Sequence, residues 1–157
     1  LTNPAGARRQ LLGVWDPRFM KPMAGALKAL GAQRAVVLHS HDGLDEISIS
    51  APTTLTHVSE EGLRTETITP EQFGMERAPR ERVLARDLPH AVAMVRAVLD
   101  GSETGPPLDM TLLSAGCALH VAGEAPDMAT GVQRAREAVQ SGAAARTLAA
   151  LSERSGG

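Results

Sequence analysis

Residues 35–46 read AVVLHSHDGLDE, a compact apolar run followed at once by a segment rich in ionisable side chains. The apolar run, residues 35–38, is typical of a parallel strand that is buried on both faces. In open α/β sheets, ligands bind beyond the carboxyl ends of such strands, so the position of residues 39–46 is as informative as their composition. The stretch predicts a buried strand with a functional loop at its end.

The segment upstream predicts a strand and a helix. Residues 11–15 form a short apolar run that stops at Asp16-Pro17, which is a helix-start signal. From residue 17 to residue 31, apolar side chains recur at intervals of three and four residues, and Gly31 ends the pattern. Strand, helix and strand in this order begin a βαβ unit.

The segment downstream predicts a hairpin and then a helical block. Residues 47–50 alternate apolar and polar as a strand does, and residues 54–68 are rich in β-branched side chains, with a turn expected near residues 60–62. For residues 69–86 we expect a mostly irregular segment with at most one helical turn, around Phe73. Helices are expected at residues 88–100, 107–122, 126–141 and 143–154.

Length and composition favour one α/β domain, or one large piece of a domain, across residues 1–157. The net charge of -2 and the scarcity of aromatic residues, with no Tyr and one Trp, disfavour a nucleic-acid partner. No apolar run approaches the roughly 20 residues that cross a bilayer, so we expect no membrane partner. The only cysteine is Cys117, which suits a reducing compartment, and we expect a cytoplasmic protein.

The third predicted helix, residues 107–122, is apolar or small on every side around Gly116, so we expect it to be central and closely approached by another helix. Burial there would make the Cys117 thiol inert. Ser114 has no base near it in sequence and is interpreted as a packing residue. Residues 133–137 carry charges on one face and predict a surface helix.

Asp45 and Glu46 are the candidate metal ligands. They are adjacent carboxylates in a turn, and Mg²⁺ takes one or two protein carboxylates and completes its shell with water and substrate phosphates. Two adjacent acids by themselves carry little specificity, and a solvated turn at Asp42-Gly43 explains them as well. Both interpretations stay open on the residues alone.

His39 and His41 support a rival interpretation as a metal-dependent hydrolase. On a strand, positions i and i+2 point to one face, as in His-x-His metal sites. A third ligand would have to come from His57, His90 or His120, which show no ligand spacing, and the pattern has too few βα units for a barrel. The alternative for His39 is a hydrogen-bonded histidine at a strand end.

Several short motifs in order resemble one family, the anthranilate phosphoribosyltransferases, over their carboxyl-terminal half. The order and spacing agree from the first residue to about residue 143. The motifs that carry the resemblance are LTNPAG at 1–6, RRQ at 8–10, GV at 13–14, HSHDGLDEISI at 39–49, PT at 52–53, ITPE at 68–71, FG at 73–74 and AGCAL at 115–119.

The resemblance implies a fold and a reaction. The fold would be the later strands and helices of the large α/β domain, shared in part with pyrimidine-nucleoside phosphorylases, with a helical carboxyl-terminal block. The reaction would be transfer of the phosphoribosyl group of phosphoribosyl pyrophosphate to the amine of anthranilate, in tryptophan biosynthesis. The family's Asp-Glu pair binds Mg²⁺, and that role is implied for Asp45 and Glu46. The parent enzyme would be a homodimer.

The chain also departs from the family. It begins at Leu1 rather than Met, so we expect an internal cut. The family's Gly-rich pyrophosphate loop would precede Leu1, which predicts an inactive isolated chain. Ser40 and Ser114 replace a usual Gly and Asn, and residues 86–90 lack the usual Gly-Gly and Asn. A transferase-like paralogue that acts only as a binding module is therefore an alternative.

Overall fold

The computed structural model describes Leu1 and residues 5–155, so most of the first motif, residues 2–4, lies outside the described residues. The described part holds a four-stranded sheet, one helix between the first two strands, and a helical block after the last. The strands are β1 (Arg9–Gly13), β2 (Arg34–Ser40), β3 (Thr53–Ser59) and β4 (Gly62–Ile68). The helices are α1 (Met20–Ala29), α2 (Leu88–Asp100), α3 (Pro106–Ala122), α4 (Met128–Gln140) and α5 (Ala143–Ser155).

The predicted βαβ unit is confirmed, with shifted bounds. β1 pairs in parallel with β2, and α1 packs against the sheet between them. The helix predicted over residues 17–31 is instead a 3-10 turn at Pro17–Phe19 followed by α1. The Asp16 carboxylate accepts a hydrogen bond from the Arg18 N–H and starts this turn.

The predicted hairpin is confirmed as β3 and β4, which pair antiparallel around a turn at residues 60–61. The strand-like alternation of residues 47–50 is misleading, because these residues form a loop. Ile47 and Ile49 are both buried, as the alternation suggests. The N–H groups of Ser48 and Ser50 donate to the side-chain hydroxyls of Thr53 and Ser48 rather than to the backbone of a neighbouring strand.

The segment before α2 has more structure than its sequence predicts. The turn expected around Phe73 is present at Pro70–Phe73, but a second 3-10 turn forms at Arg80–Val83. Residues 86–90 also form a defined helix start, despite their departure from the family pattern. The Asp87 carboxylate accepts from the His90 N–H, and the His90 ring accepts from the Arg86 N–H.

The sheet runs β1-β2-β3-β4, and a hydrophobic cluster lies on each of its faces. α1 covers one face and the helical block covers the other. α3 is the central helix of that block, as predicted, because Leu112, Leu113 and Cys117 are each 1% exposed or less. The charged face of α4 is exposed, also as predicted. No helix in the described part of the chain is long and apolar enough to cross a bilayer.

Candidate metal and phosphate site

The candidate site lies at the edge of the sheet where β1 and β2 both end. The two strands are parallel and Gly13 pairs with Leu38, so their carboxyl ends meet there. The loop that follows β2, residues 41–52, connects β2 to β3 and is called the carboxylate loop below. It packs directly on β1: a β-carbon at Gly13 would lie 2.6 Å from the Asp45 carbonyl carbon. Glycine is required here because the loop backbone crosses the strand in contact with it.

Backbone hydrogen bonds fold the first half of the carboxylate loop into a tight turn. The Gly43 N–H donates to the Ser40 carbonyl and the Ser40 N–H donates to the Leu44 carbonyl, both at 2.9 Å. Gly43 has φ +87°, a conformation that favours glycine. The His41 N–H donates to the Pro52 carbonyl at 2.9 Å, so the two ends of the loop are tied together.

Side-chain hydrogen bonds fix the second half of the loop. The Ser48 hydroxyl donates to Asp42 Oδ2 at 2.7 Å and accepts from the Ser50 N–H at 2.8 Å. The Ser48 N–H donates to Thr53 Oγ1, which also hydrogen-bonds with the hydroxyl of Ser40 at 3.1 Å. Ser40, Ser48 and Thr53 are each 1% exposed or less. Ser40, which departs from the family's usual Gly, is thus a partner in this network.

Asp45 and Glu46 lie exposed on the loop, between its two fixed halves. Glu46 also lines a mostly apolar cleft of about 380 Å³ between α2 and α3, whose other walls include Val98 and Met110. The donor set fits Mg²⁺, because hard carboxylate oxygens that face solvent leave room for the waters and phosphates that Mg²⁺ retains. Among the described residues no group of three or more His, Cys, Asp or Glu is arranged for a metal, so a closed all-protein cage is not formed there.

The histidines are separated and already bonded. His39 is buried, and its Nδ1 donates to the Val14 carbonyl at 2.8 Å, whereas His41 Nε2 hydrogen-bonds with Thr54 at 2.9 Å. β2 ends at Ser40, so His41 is not on the strand that the i, i+2 argument requires. The alternative interpretation of His39 as a hydrogen-bonded strand-end histidine agrees with this geometry.

The other three histidines do not complete a site with this pair. His57 lies on the opposite face of the sheet from His39, because it pairs with Val36 in the antiparallel register. It bonds to Glu66 at 2.7 Å and lies near His120, with 6.3 Å between ring centroids. His90 belongs to the start of α2. The described residues therefore give the hydrolase interpretation no metal cluster.

Two further ionisable groups near the sheet are not candidates. The Asp16 carboxylate lies just beyond β1, but Arg18 binds it at 2.6 Å and lowers its pKa. Cys117 is buried in α3, and burial raises the pKa of its thiol to about 12, as the expected inertness requires. Ser114 is half-buried and lines the same cleft as Glu46.

The residues that sequence reasoning missed are those that hold the loop. Asp42 is expected only as a turn residue, and Ser48 only as the polar position of a strand. Both belong to the hydrogen-bonded network of the loop that carries Asp45 and Glu46. The one local sequence signal for Ser48 is its position between two isoleucines, and the structure buries all three residues.

The fold and the site together define a class. Residues 1–145 match the family described as glycosyl transferase family, a/b domain, and the chain belongs to that family. Within it, the chain is similar to anthranilate phosphoribosyltransferases. It is 48% identical over 151 residues to the enzyme of Thioalkalivibrio sulfidiphilus and 46% identical over 148 residues to that of Halorhodospira halophila. The alignments cover 96% and 94% of this chain.

Solved structures of anthranilate phosphoribosyltransferases share the fold of this chain. The crystal structure of the Thermus thermophilus anthranilate phosphoribosyltransferase is 39% identical, with a TM-score of 0.82 over 91% of this chain. The Saccharomyces cerevisiae enzyme in complex with PRPP and Mg is 24% identical, with a TM-score of 0.78 over 89% of this chain, a likeness of fold alone. The chain spans less than half the length of these relatives, 44% of the Thioalkalivibrio enzyme and 42% of the Thermus chain.

Proposed function

We propose that this chain is the metal-binding part of an anthranilate phosphoribosyltransferase. The reaction transfers the phosphoribosyl group of phosphoribosyl pyrophosphate to the amine of anthranilate and releases pyrophosphate. One observation carries the proposal: in a chain of this family, Asp45 and Glu46 lie exposed on a firmly bonded loop at the carboxyl edge of the sheet. That edge is where α/β folds bind their ligands.

The chemistry needs little covalent participation by the protein. Pyrophosphate leaves with a charge that grows through the transition state, and a bound Mg²⁺ supplies the electrostatic neutralisation of that charge. The part of this chain is to bind and orient. Asp45 and Glu46 supply the carboxylate oxygens, and the carboxylate loop holds them at the edge of the sheet, so that the reacting groups meet in one geometry.

The relatives support the substrate assignment. The enzymes of Thioalkalivibrio sulfidiphilus and Halorhodospira halophila, 48% and 46% identical to this chain, are anthranilate phosphoribosyltransferases. The yeast enzyme of that name, which shares the fold, has been solved in complex with PRPP and Mg and separately with 4-fluoroanthranilate. We propose the same donor, acceptor class and metal for the protein to which this chain contributes. Residues 1–157 would form the carboxyl-terminal part of its α/β domain. The homodimeric state of the parent enzyme and its cytoplasmic location stay predictions.

The isolated chain is expected to be inactive. It spans less than half of its relatives' length, and the family's Gly-rich pyrophosphate loop is not among its motifs. Purified residues 1–157 should release no pyrophosphate from phosphoribosyl pyrophosphate and anthranilate. Steady turnover by this chain alone would contradict the proposal that it supplies only part of the active site.

The metal assignment is tested in the full product of the gene that encodes this chain. The double variant Asp45→Asn with Glu46→Gln should lower kcat/KM on the order of 100-fold or more, because it removes the charge that holds the cation. The control is Glu60→Gln with Glu61→Gln, another adjacent exposed pair, on the turn at the opposite edge of the sheet. Equal kcat/KM in the two double variants would refute the assignment. Substrate binding without turnover in the wild type would favour the binding-module alternative.

A further inference from the structure

Asp42 and Ser48 form a hydrogen-bonded support within the carboxylate loop. The Ser48 hydroxyl is saturated: it donates to Asp42 Oδ2 at 2.7 Å and accepts from the N–H groups of Ser50 and Ala51 at 2.8 and 3.3 Å. The pair therefore bridges the two sides of the segment that carries Asp45 and Glu46. Because Ser48 is 1% exposed, water cannot replace these bonds.

Ser48 is also anchored to the sheet. Its N–H donates at 3.2 Å to the hydroxyl of Thr53, the first residue of β3. The same hydroxyl bonds to the side chain of Ser40, the last residue of β2. Since both strand ends belong to the rigid sheet, the chain of bonds from Thr53 through Ser48 to Asp42 fixes the loop relative to the sheet.

The loop that contains this support also contains two buried polar atoms without a hydrogen-bond partner among the described residues. Asp42 Oδ1 is buried and has no hydrogen-bond partner among the described residues, and the same holds for the hydroxyl of Ser50. A buried carboxylate oxygen without a partner destabilises a fold, and natural proteins retain few such atoms. Buried polar atoms without a partner are found mainly at functional sites, where geometry serves function rather than stability. Both atoms belong to the loop that carries the proposed metal ligands.

We infer that Asp42 and Ser48 are positioning residues, which hold the carboxylates of Asp45 and Glu46 in the geometry that binds the divalent cation. The inference rests on the proposed function of that pair. The inference assigns the charge of Asp42 no part, because the carboxylate acts only as the hydrogen-bond acceptor for Ser48. Partners behind metal ligands typically contribute about 10- to 100-fold to metal affinity.

The test uses Mn²⁺, a paramagnetic substitute for Mg²⁺, titrated into residues 1–157. Broadening of the backbone amide signals of residues 43–47 gives both the place and the affinity of binding. Asp42→Ala and Ser48→Ala should each weaken Mn²⁺ binding by about 10-fold. Asp42→Asn should bind within about twofold of wild type, because its amide oxygen still accepts from Ser48 although the charge is gone.

A matched control separates positioning from loss of stability. Asp127 also accepts a hydrogen bond through its carboxylate, from the Thr130 N–H at 2.7 Å, but it does so at the start of α4. Asp127→Ala should destabilise the chain and leave Mn²⁺ affinity unchanged. Amide signals outside residues 41–53 report whether each variant has kept the fold.

The outcomes distinguish the two proposals. Wild-type affinity in both Asp42→Ala and Ser48→Ala would overturn the positioning role and leave the metal site intact. An equal loss in Asp42→Asn and Asp42→Ala would also overturn it, since charge alone would then explain the effect. Unchanged binding in the Asp45→Asn, Glu46→Gln double variant would instead overturn the metal site, and the positioning role with it.

Discussion

The contact between α3 and α4 depends on two glycines, and Gly131→Ala should therefore destabilise the protein. A β-carbon at Gly131 would lie 2.9 Å from the carbonyl carbon and 3.0 Å from the α-carbon of Gly116, and closer still to its carbonyl oxygen. These atoms are backbone, so no side-chain rotation relieves the overlap. In the other direction, a β-carbon at Gly116 would lie 2.6 Å from the backbone nitrogen of Val132.

The magnitude follows from two opposing effects. Alanine is favoured over glycine within a helix by about 1 kcal/mol. Against this, α3 and α4 must separate by about 0.5–1 Å, which removes a quarter to a half of the van der Waals attraction of each atom pair between them. The affected contacts include those of Cys117, Val132 and Ala135, all buried in the same hydrophobic cluster. Overpacking of a core costs about 1–3 kcal/mol and occasionally more. Because the overlap is with backbone atoms, we take the overpacking cost at the upper end of that range, about 3 kcal/mol, so the net loss is about 2 kcal/mol.

The assay is thermal unfolding followed by circular dichroism, with Gly25→Ala as the matched control. Gly25 lies within α1 and is exposed, and a β-carbon added there would have no neighbouring atom within 4 Å. Gly131→Ala should lower Tm by about 4–8 °C, whereas Gly25→Ala should raise it by about 1–4 °C. A Gly131→Ala protein as stable as the Gly25→Ala protein would refute the close-approach argument.

Two further predictions concern buried groups on the helical side of the sheet. Because burial raises the pKa of the Cys117 thiol to about 12, the native protein at pH 8 should resist a thiol reagent that labels the unfolded chain. Rapid labelling of the native protein would contradict the burial of Cys117. Burial also lowers the pKa of His57 below its usual 6.5, although the hydrogen bond that His57 donates to the Glu66 carboxylate opposes this shift. The unfolded chain then binds more protons than the native chain, so the free energy of unfolding should fall as pH drops through about 6.5. The slope of unfolding free energy against pH should be shallower in His57→Gln, and a slope identical to that of the wild type would contradict this origin.

Most elements follow from local patterns. The 3.6-residue spacing of apolar side chains predicts α2 with the bounds that the structure gives it, and α3, α4 and α5 within two residues. The β-branched run broken at residues 60–62 predicts the hairpin. Local rules were insufficient at residues 17–31, where the Asp16 side chain starts a 3-10 turn ahead of α1. They also missed the second turn, Arg80–Val83.

Residues 47–50 show why periodicity alone misleads. A half-buried strand alternates apolar and polar residues because successive side chains point to opposite faces, but a loop that encloses its polar side chains gives the same sequence pattern. Here Ile47, Ser48 and Ile49 are all buried, and the N–H groups of Ser48 and Ser50 donate to the hydroxyls of Thr53 and Ser48, so the sequence alternates without alternating exposure and without a strand partner. Only long-range contacts distinguish the two cases.

The sequence alone determined the fold class and the order of most elements, because these depend on residue type and short spacing, and the resemblance of its motifs to one family singled out Asp45 and Glu46 as the candidate pair. The tertiary structure decided what lies beneath that pair. Gly13 and Asp45 are far apart in sequence, and so are Ser40 and Thr53, yet each pair meets at one edge of the sheet. Such meetings are set by strand register and packing, which no local pattern encodes. The support that Asp42 and Ser48 give the loop therefore became visible only in three dimensions.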